Sequence, residues 1–171
     1  INEILKIKEE FTSLNSLIAI LGPIFSNEVR TTLEEFEDYD IPIISPTATD
    51  DDLTSLNHLF FQANPSFSVR GKLMAQYVFY VENQRAVSVM NSIEGYSPIL
   101  AGSFIEEFEN LGGKILKKVS FKNDLTDFSD PISKIFSDSL IIEGIYIPLS
   151  DNSVTPYLLS ELVKYGIKIP M

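Results

Sequence analysis

The chain has 171 residues, no cysteine and a single histidine, and its 24 acidic against 13 basic side chains give a formal net charge of −11. That balance repels phosphate backbones and anionic lipid, which disfavours nucleic acid and membrane surfaces as partners. The lack of cysteine excludes disulfides, thiolate metal sites and thiol nucleophiles, while 44% hydrophobic residues suffice for one packed domain or two small ones.

Apolar runs alternate with helical patterns along nearly the whole chain, which predicts an α/β fold with a largely parallel sheet. Ile4, Ile7, Phe11 and Leu14 recur at helical spacing from the first residues onward. A strand over Leu17–Leu21 follows, then a helix from about Ser26 to Asp38 with Ser26 as N-cap and Val29, Leu33 and Phe36 on its buried face. The Ile41–Ile44 strand, a Thr-rich loop and the run His58–Gln62 come next, with Phe60 and Phe61 expected in the core or one of the two lining the crevice. After Asn64-Pro65-Ser66 the cycle restarts with a long helix, about Phe67 to Glu82, presenting Leu73, Tyr77 and Tyr80. Then come strand Ala86–Met90, a turn at Glu94-Gly95-Tyr96, and a helix over Ser97–Asn110 closed by Leu111-Gly112-Gly113. Strand Ile115–Phe121 leads to a short helix capped at Asp130-Pro131, and strand Gly144–Ile147 to a helix from about Ser153 to Tyr165 with Gly166 behind it. The chain opens inside a helical pattern without a signal peptide and ends at Lys168–Met171, where an apolar strand would begin, so both ends are expected to be cuts through a larger protein. No apolar stretch approaches the ~20 residues that span a bilayer.

Two segments carry most of the functional information: Gly22-Pro23-Ile24-Phe25-Ser26-Asn27 and Ile44-Ser45-Pro46-Thr47-Ala48-Thr49. Each follows a predicted buried strand and breaks into small hydroxyl residues. In an open parallel sheet such loops form the ligand crevice, and hydroxyls with free N–H groups there can hold a small anion without a cationic side chain. Reversible binding is the chemistry this predicts. Asp50-Asp51-Asp52 suggests a metal site, but consecutive carboxylates point in different directions and no EF-hand spacing surrounds them. They read as solvated loop charges. The lone His58 has no Gly-x-Ser-x-Gly elbow to partner it, and Gly22-x-x-x-Ser26 lacks the glycines of a nucleotide loop. No nucleophile, base or cofactor motif is present, so no enzyme and no cofactor are predicted.

The ordered series Gly22-Pro-Ile-Phe-Ser26, Ile41-Pro-Ile-Ile-Ser-Pro-Thr-Ala-Thr49 with Leu53-Thr54, Phe60-Phe-Gln-Ala-Asn-Pro65, Arg85-Ala-Val-Ser-Val89, Gly95-Tyr96, Phe108-Glu-Asn-Leu-Gly-Gly113 and Thr126-Asp-Phe128 resembles the type I periplasmic binding proteins. Within them it is most similar to the leucine/isoleucine/valine-binding group that feeds ABC transporters. The resemblance implies two Rossmann-like lobes with parallel sheets flanked by helices, here incomplete at both ends. Residues 1–62 would form the latter part of the first lobe and 63–171 part of the second, with the hinge crossing near 62–66.

The ligand implied is a small zwitterion, an amino acid of branched-chain type. Ser26 would hold its carboxylate, the carbonyl of Thr47 its ammonium, and Ala48 and Thr49 would complete the first-lobe half of the site. Tyr96 would close over the ligand from the second lobe. Gln62 stands where the family commonly has arginine, and the family's acidic partner for the ammonium would lie beyond Met171. An ABC permease is the implied partner and the periplasm or cell exterior the implied location. A ligand-sensing domain on the same fold, or an interaction domain without ligand, is the alternative. The edge of a truncated first-lobe sheet would be covered by pairing with another chain, for which a homodimer is one form.

Overall fold

The computed structural model describes residues 2–14, 17–137 and 141–166, so the strand predicted to begin at Lys168–Met171 lies outside the described residues. The chain divides into two compact units, Ile1–Phe67 and Ser68–Met171. Each builds its own three-stranded parallel sheet flanked by helices, the α/β architecture that the alternating pattern predicts.

The first unit runs α1 (Asn2–Thr12), β1 (Ile20–Leu21), α2 (Ser26–Glu35), β2 (Ile43–Ser45), α3 (Leu53–Leu56) and β3 (Phe60–Gln62). Its sheet order is β1-β2-β3, with Ile20 beside Ile43 and Ser45 beside Gln62. Of the predicted strand Leu17–Leu21 only the last two residues pair. The position opposite Ala19 in this register is Pro42, which has no N–H to continue the ladder. The apolar face of α2 behaves as its spacing predicts: Val29, Leu33 and Phe36 pack with Ile43, Ala48, Leu53 and Phe60 into one core. Phe61 does not join them. Strand alternation turns it to the opposite face, where it is exposed.

The second unit runs α4 (Phe67–Gln76, continued by a π-helical turn at Tyr77–Val81), β4 (Ala86–Ser92), α5 (Ser97–Asn110), β5 (Lys114–Phe121), α6 (Ser129–Ile135), β6 (Gly144–Tyr146), a 3-10 turn (Asn152–Val154) and α7 (Thr155–Lys164). β4 is central, in the order β5-β4-β6. Val87 and Val89 face Phe104, Phe108 and Tyr146 on one side, and Met90 meets Ile132, Leu158 and Leu162 on the other. Tyr146 stacks on Phe104 with ring centroids 4.2 Å apart, and burial pushes its phenol up to about 12, so it is a neutral core residue. Along α4 the buried positions are the small Gly71 and Ala75, and the predicted stripe of Leu73, Tyr77 and Tyr80 stands exposed. The helix lies on its neighbours by its narrow side.

Two caps show where local chemistry decides. Past α5, the Gly112 N–H bonds to the Glu109 carbonyl (2.9 Å) and the Gly113 N–H to the Phe108 carbonyl (2.9 Å). This Schellman closure needs Gly112 at φ +92, a conformation that penalises a Cβ. The predicted cap of α6 at Asp130 is corrected. Asp127 Oδ1 accepts from the Ser129 N–H at 2.9 Å and the Ser129 hydroxyl at 2.6 Å, so the helix starts earlier and Pro131 falls inside its first turn. Those bonds hold the Asp127 carboxyl below the usual range.

Two expected outcomes follow from the second sheet. Ser88 on central β4 is 0% exposed, and its hydroxyl has no hydrogen-bond partner among the described residues. A buried hydroxyl without a partner costs roughly 1–3 kcal/mol. Ser88→Ala should therefore stabilise the protein by about 1 kcal/mol in urea unfolding; an unchanged midpoint would mean that buried water satisfies the group. At the start of the same strand, the N–H groups of Arg85 and Ala86 both donate to Glu143 Oε2, the second at 2.9 Å. The Arg85 and Ala86 amides hold the Glu143 carboxyl below the ordinary glutamate range. A depressed folded-state value contributes stability above the unfolded value of about 4.3, lost as pH falls through the folded value. Glu143→Gln should melt earlier than wild type at pH 7, with the gap closing below about pH 4.

Candidate functional site

The carboxyl ends of β1, β2 and β3 lie at one end of the first sheet because all three strands are parallel. The loop after β1 passes through the cis Gly22–Pro23 peptide into α2, and the loop after β2 runs from Pro46 to Asp52. Hydroxyls join the two. Ser45 Oγ donates to the Pro23 carbonyl at 2.7 Å, Thr47 Oγ1 donates to the Ile24 carbonyl at 2.5 Å, and Ser26 Oγ accepts from the N–H groups of Thr49 (3.2 Å) and Asp50 (3.3 Å). Three of the predicted residues, Ser26, Thr47 and Thr49, thus sit on two loops that are bonded to each other.

The local roles differ from those predicted. Phe25, at φ −98 and ψ 143, is the N-cap of α2 and makes no side-chain cap bond, while Ser26 is already helical. The Ser26 oxygen turns across to the second loop instead of back onto its own helix. A hydroxyl has two acceptor lone pairs and one proton. Both acceptor sites of Ser26 are taken by main-chain N–H groups, and its proton has no acceptor among the described residues. What Ser26 can still do is donate. The first-turn N–H groups of α2 likewise lack a side-chain cap, so this corner presents donors and the positive end of a helix dipole.

Thr49 gives its N–H to Ser26 and its carbonyl to the Phe67 N–H (3.1 Å), and its hydroxyl has no partner among the described residues. Thr47 spends its hydroxyl on the loop, and its carbonyl accepts from Asn64 Nδ2 at 3.3 Å with one lone pair remaining. Ala48 is 1% exposed, with its methyl in the core and its N–H donated to Ser45 Oγ at 3.2 Å, so its side chain has no surface to offer a ligand. Asp52 pairs with Arg30 at 2.9 Å, which holds its carboxyl below the usual range. Among the described residues no group of three His, Cys, Asp or Glu could hold a metal ion. Gln62 ends β3 beside Ser45, and its Nε2 is buried without a hydrogen-bond partner among the described residues.

Tyr96 belongs to the second unit, at the N-cap of α5 in the loop that leaves central β4. That loop is fixed from several directions. The Glu94 N–H bonds Ser92 Oγ (3.1 Å), the Ser92 hydroxyl donates to Asn123 Oδ1 (2.5 Å), and Ser150 Oγ donates to the Glu94 carbonyl (2.9 Å). Gly95 has φ +62, and a Cβ there would come within 2.7 Å of Ser150, so only glycine fits. In the sequence Glu94 reads as a turn residue. Its fixed carboxylate emerges only when the ends of β4, β5 and β6 come together.

No model of a known protein family matches the chain, and no curated protein matches it. Solved structures do. A protein of Rhodospirillum rubrum assigned to branched-chain amino acid ABC transport superposes with a TM-score of 0.85 at 19% identity, over 95% of this chain and 46% of that one. The branched-chain amino acid substrate-binding protein LivJ of Streptococcus pneumoniae, solved with isoleucine, gives 0.64 at 23% identity over 99% of this chain and 47% of its own. The fold is that of the type I periplasmic binding proteins. A solute-binding protein of an ABC transporter from Rhodopseudomonas palustris, solved with p-hydroxybenzoic acid, gives 0.62 at 16% identity, over 97% of this chain and 44% of that one. The chain spans slightly under half the length of these structures. No described helix is long and apolar enough to cross a membrane.

Proposed function

We propose that this chain is part of an extracytoplasmic solute-binding protein that captures a small carboxylate-bearing ligand, an amino acid of branched-chain type, for ABC-type uptake. The observation that carries this reading is the state of Ser26: both lone pairs engaged by Thr49 and Asp50, its proton unassigned, at the uncapped start of α2. A carboxylate is an acceptor-only group, and a donor corner at a helix N-terminus is its natural partner. In this reading Ser26 and Thr49 donate to the carboxylate, the remaining lone pair of the Thr47 carbonyl takes the ammonium, and Tyr96 covers the ligand as the two units close. Ala48 contributes through its main chain only. Closure is a population shift limited by the ligand's differential affinity for the closed state. The reading makes the protein a binder rather than an enzyme, working outside the cytoplasm with a permease.

Isothermal titration of the purified full-length protein against the twenty amino acids tests the reading. Binding of branched-chain members with micromolar or tighter affinity is the expected result. Failure to bind any of them, with a folded protein, would overturn it.

A further inference from the structure

We infer that the outward face of α4 is a self-association surface, on which two copies of this chain pair with their helices antiparallel about Ala75. The inference goes beyond solute binding and does not depend on it. It starts from a reversal of the usual amphipathic pattern. α4 turns its small residues inward: Ala75 packs with Ala101 and Phe104 of α5, and a Cβ on Gly71 would come within 2.6 Å of the Leu100 carbonyl oxygen. Leu73 and Tyr77, two residues either side of Ala75, lie about 160° round the helix from it. They are exposed, as are Val69, Tyr80 (66%) and Val81 (65%).

Val69, Leu73, Tyr77 and Val81 recur at four-residue steps. In an α-helix each such step advances the row about 40° round the axis. The π-helical turn, closed by the Glu82 N–H on the Tyr77 carbonyl at 3.1 Å, is wider and takes part of that drift back. The row therefore keeps to one side of α4 for about 18 Å. π turns are rare and concentrate at functional sites, and a contiguous apolar row on an outer helix marks an interaction surface.

Self-complementarity identifies the occupant. In an antiparallel pair centred on Ala75, Leu73 meets the partner's Tyr77, Val69 the partner's Val81, and Arg70 the partner's Tyr80. Apolar side chains face apolar ones, and the guanidinium meets an aromatic ring. Lys72, which pairs with Glu106 of its own copy at 3.9 Å, meets the partner's Val78. A two-fold contact requires a patch that matches itself in this way. A parallel pair would set Arg70 against Arg70. Charge favours this helix for the contact: the net −11 repels a second copy over the chain as a whole, whereas residues 67–81 hold two cations and no acid. Five partly exposed apolar side chains per copy place the interface below about 1,200 Å² in total, where association is weak and reversible.

Sedimentation velocity of the full-length protein, between about 1 μM and about 1 mM, should show monomer–dimer exchange with a micromolar dissociation constant. Leu73→Glu with Tyr77→Glu should weaken it at least ~100-fold, because the pairing brings four carboxylates together. Both positions are exposed, and thermal melts check that the variant folds. The chain has no cysteine, so an introduced one reports the register. Along the axis, Tyr77→Cys places the two thiols about 6 Å apart and Val69→Cys about 18 Å apart. Mild oxidation, with wild type as control, should link Tyr77→Cys into a dimer and leave Val69→Cys unlinked. A wild type that stays monomeric at every concentration overturns the inference and leaves the row to another part of the full-length chain or to another protein. A dimer that survives Leu73→Glu with Tyr77→Glu, or equal crosslinking at both positions, overturns it as well. All three outcomes leave the solute-binding reading standing, since titration with amino acids tests that separately.

Discussion

Ser26→Ala combined with Thr49→Ala should reduce affinity for the cognate amino acid by about 100- to 10,000-fold, as two hydrogen bonds to a carboxylate are lost at roughly 1.5–3 kcal/mol each. The Ser26 change carries a second cost. It leaves the N–H groups of Thr49 and Asp50 without their acceptor, so the two loops loosen and the melting temperature falls. Thr47→Ala separates the two effects. It removes a loop bond to the Ile24 carbonyl and no proposed ligand donor, because the Thr47 contribution is its main-chain carbonyl. Thr47→Ala should therefore lower the melting temperature with a fall in affinity of only a few-fold. A double variant that binds as tightly as wild type would remove Ser26 and Thr49 from the site; calorimetry beside thermal melts reads both quantities.

Phe104→Ala should be the most damaging single change to stability, at about 3–5 kcal/mol. Phe104 is fully buried, stacks on Phe108 at 5.4 Å and on Tyr146 at 4.2 Å, and so ties α5 to β4 and β6 at once. Truncation leaves a cavity bounded by two rings that cannot close over it without moving a strand or a helix. Against a typical domain stability of about 5–15 kcal/mol this is a large fraction. Chemical unfolding of Phe104→Ala and Phe104→Leu should rank them in that order of damage, since leucine refills part of the volume. The β4 and β6 loops that carry Glu94, Tyr96 and Ser150 rest on this core, so ligand affinity should fall with it. An alanine variant with wild-type stability would contradict the stacked core.

Much of the fold was legible in the chain itself. The periodicity of Val29, Leu33 and Phe36 belongs to a helix with one buried face, and they are core residues. The glycine pair at 112–113 announces a helix end because only glycine takes the left-handed cap readily. The misplaced details share a cause. Phe61 against Phe60, the exposed Leu73–Tyr77–Tyr80 stripe and the short β1 depend on which face meets a neighbour and which residue stands across the ladder. Periodicity shows that a stripe exists; packing decides whether it is covered.

The candidate site divides in the same way. The sequence alone determined that hydroxyl-rich loops follow the first two strands, and that the chain lacks the groups for thiol, disulfide or nucleotide-loop chemistry. Only the tertiary structure decided what each hydroxyl has left to give. Ser26 keeps a proton because the N–H groups of Thr49 and Asp50 on the second loop occupy its lone pairs, Thr47 has spent its own on Ile24, and Glu94 has one carboxylate oxygen bonded to the Asn123 N–H while Ser150 holds its main-chain carbonyl. The physical reason is that hydrogen-bonding capacity is finite and is consumed by neighbours distant in sequence. A residue's type sets how many bonds it can make, and the fold sets how many remain for a ligand.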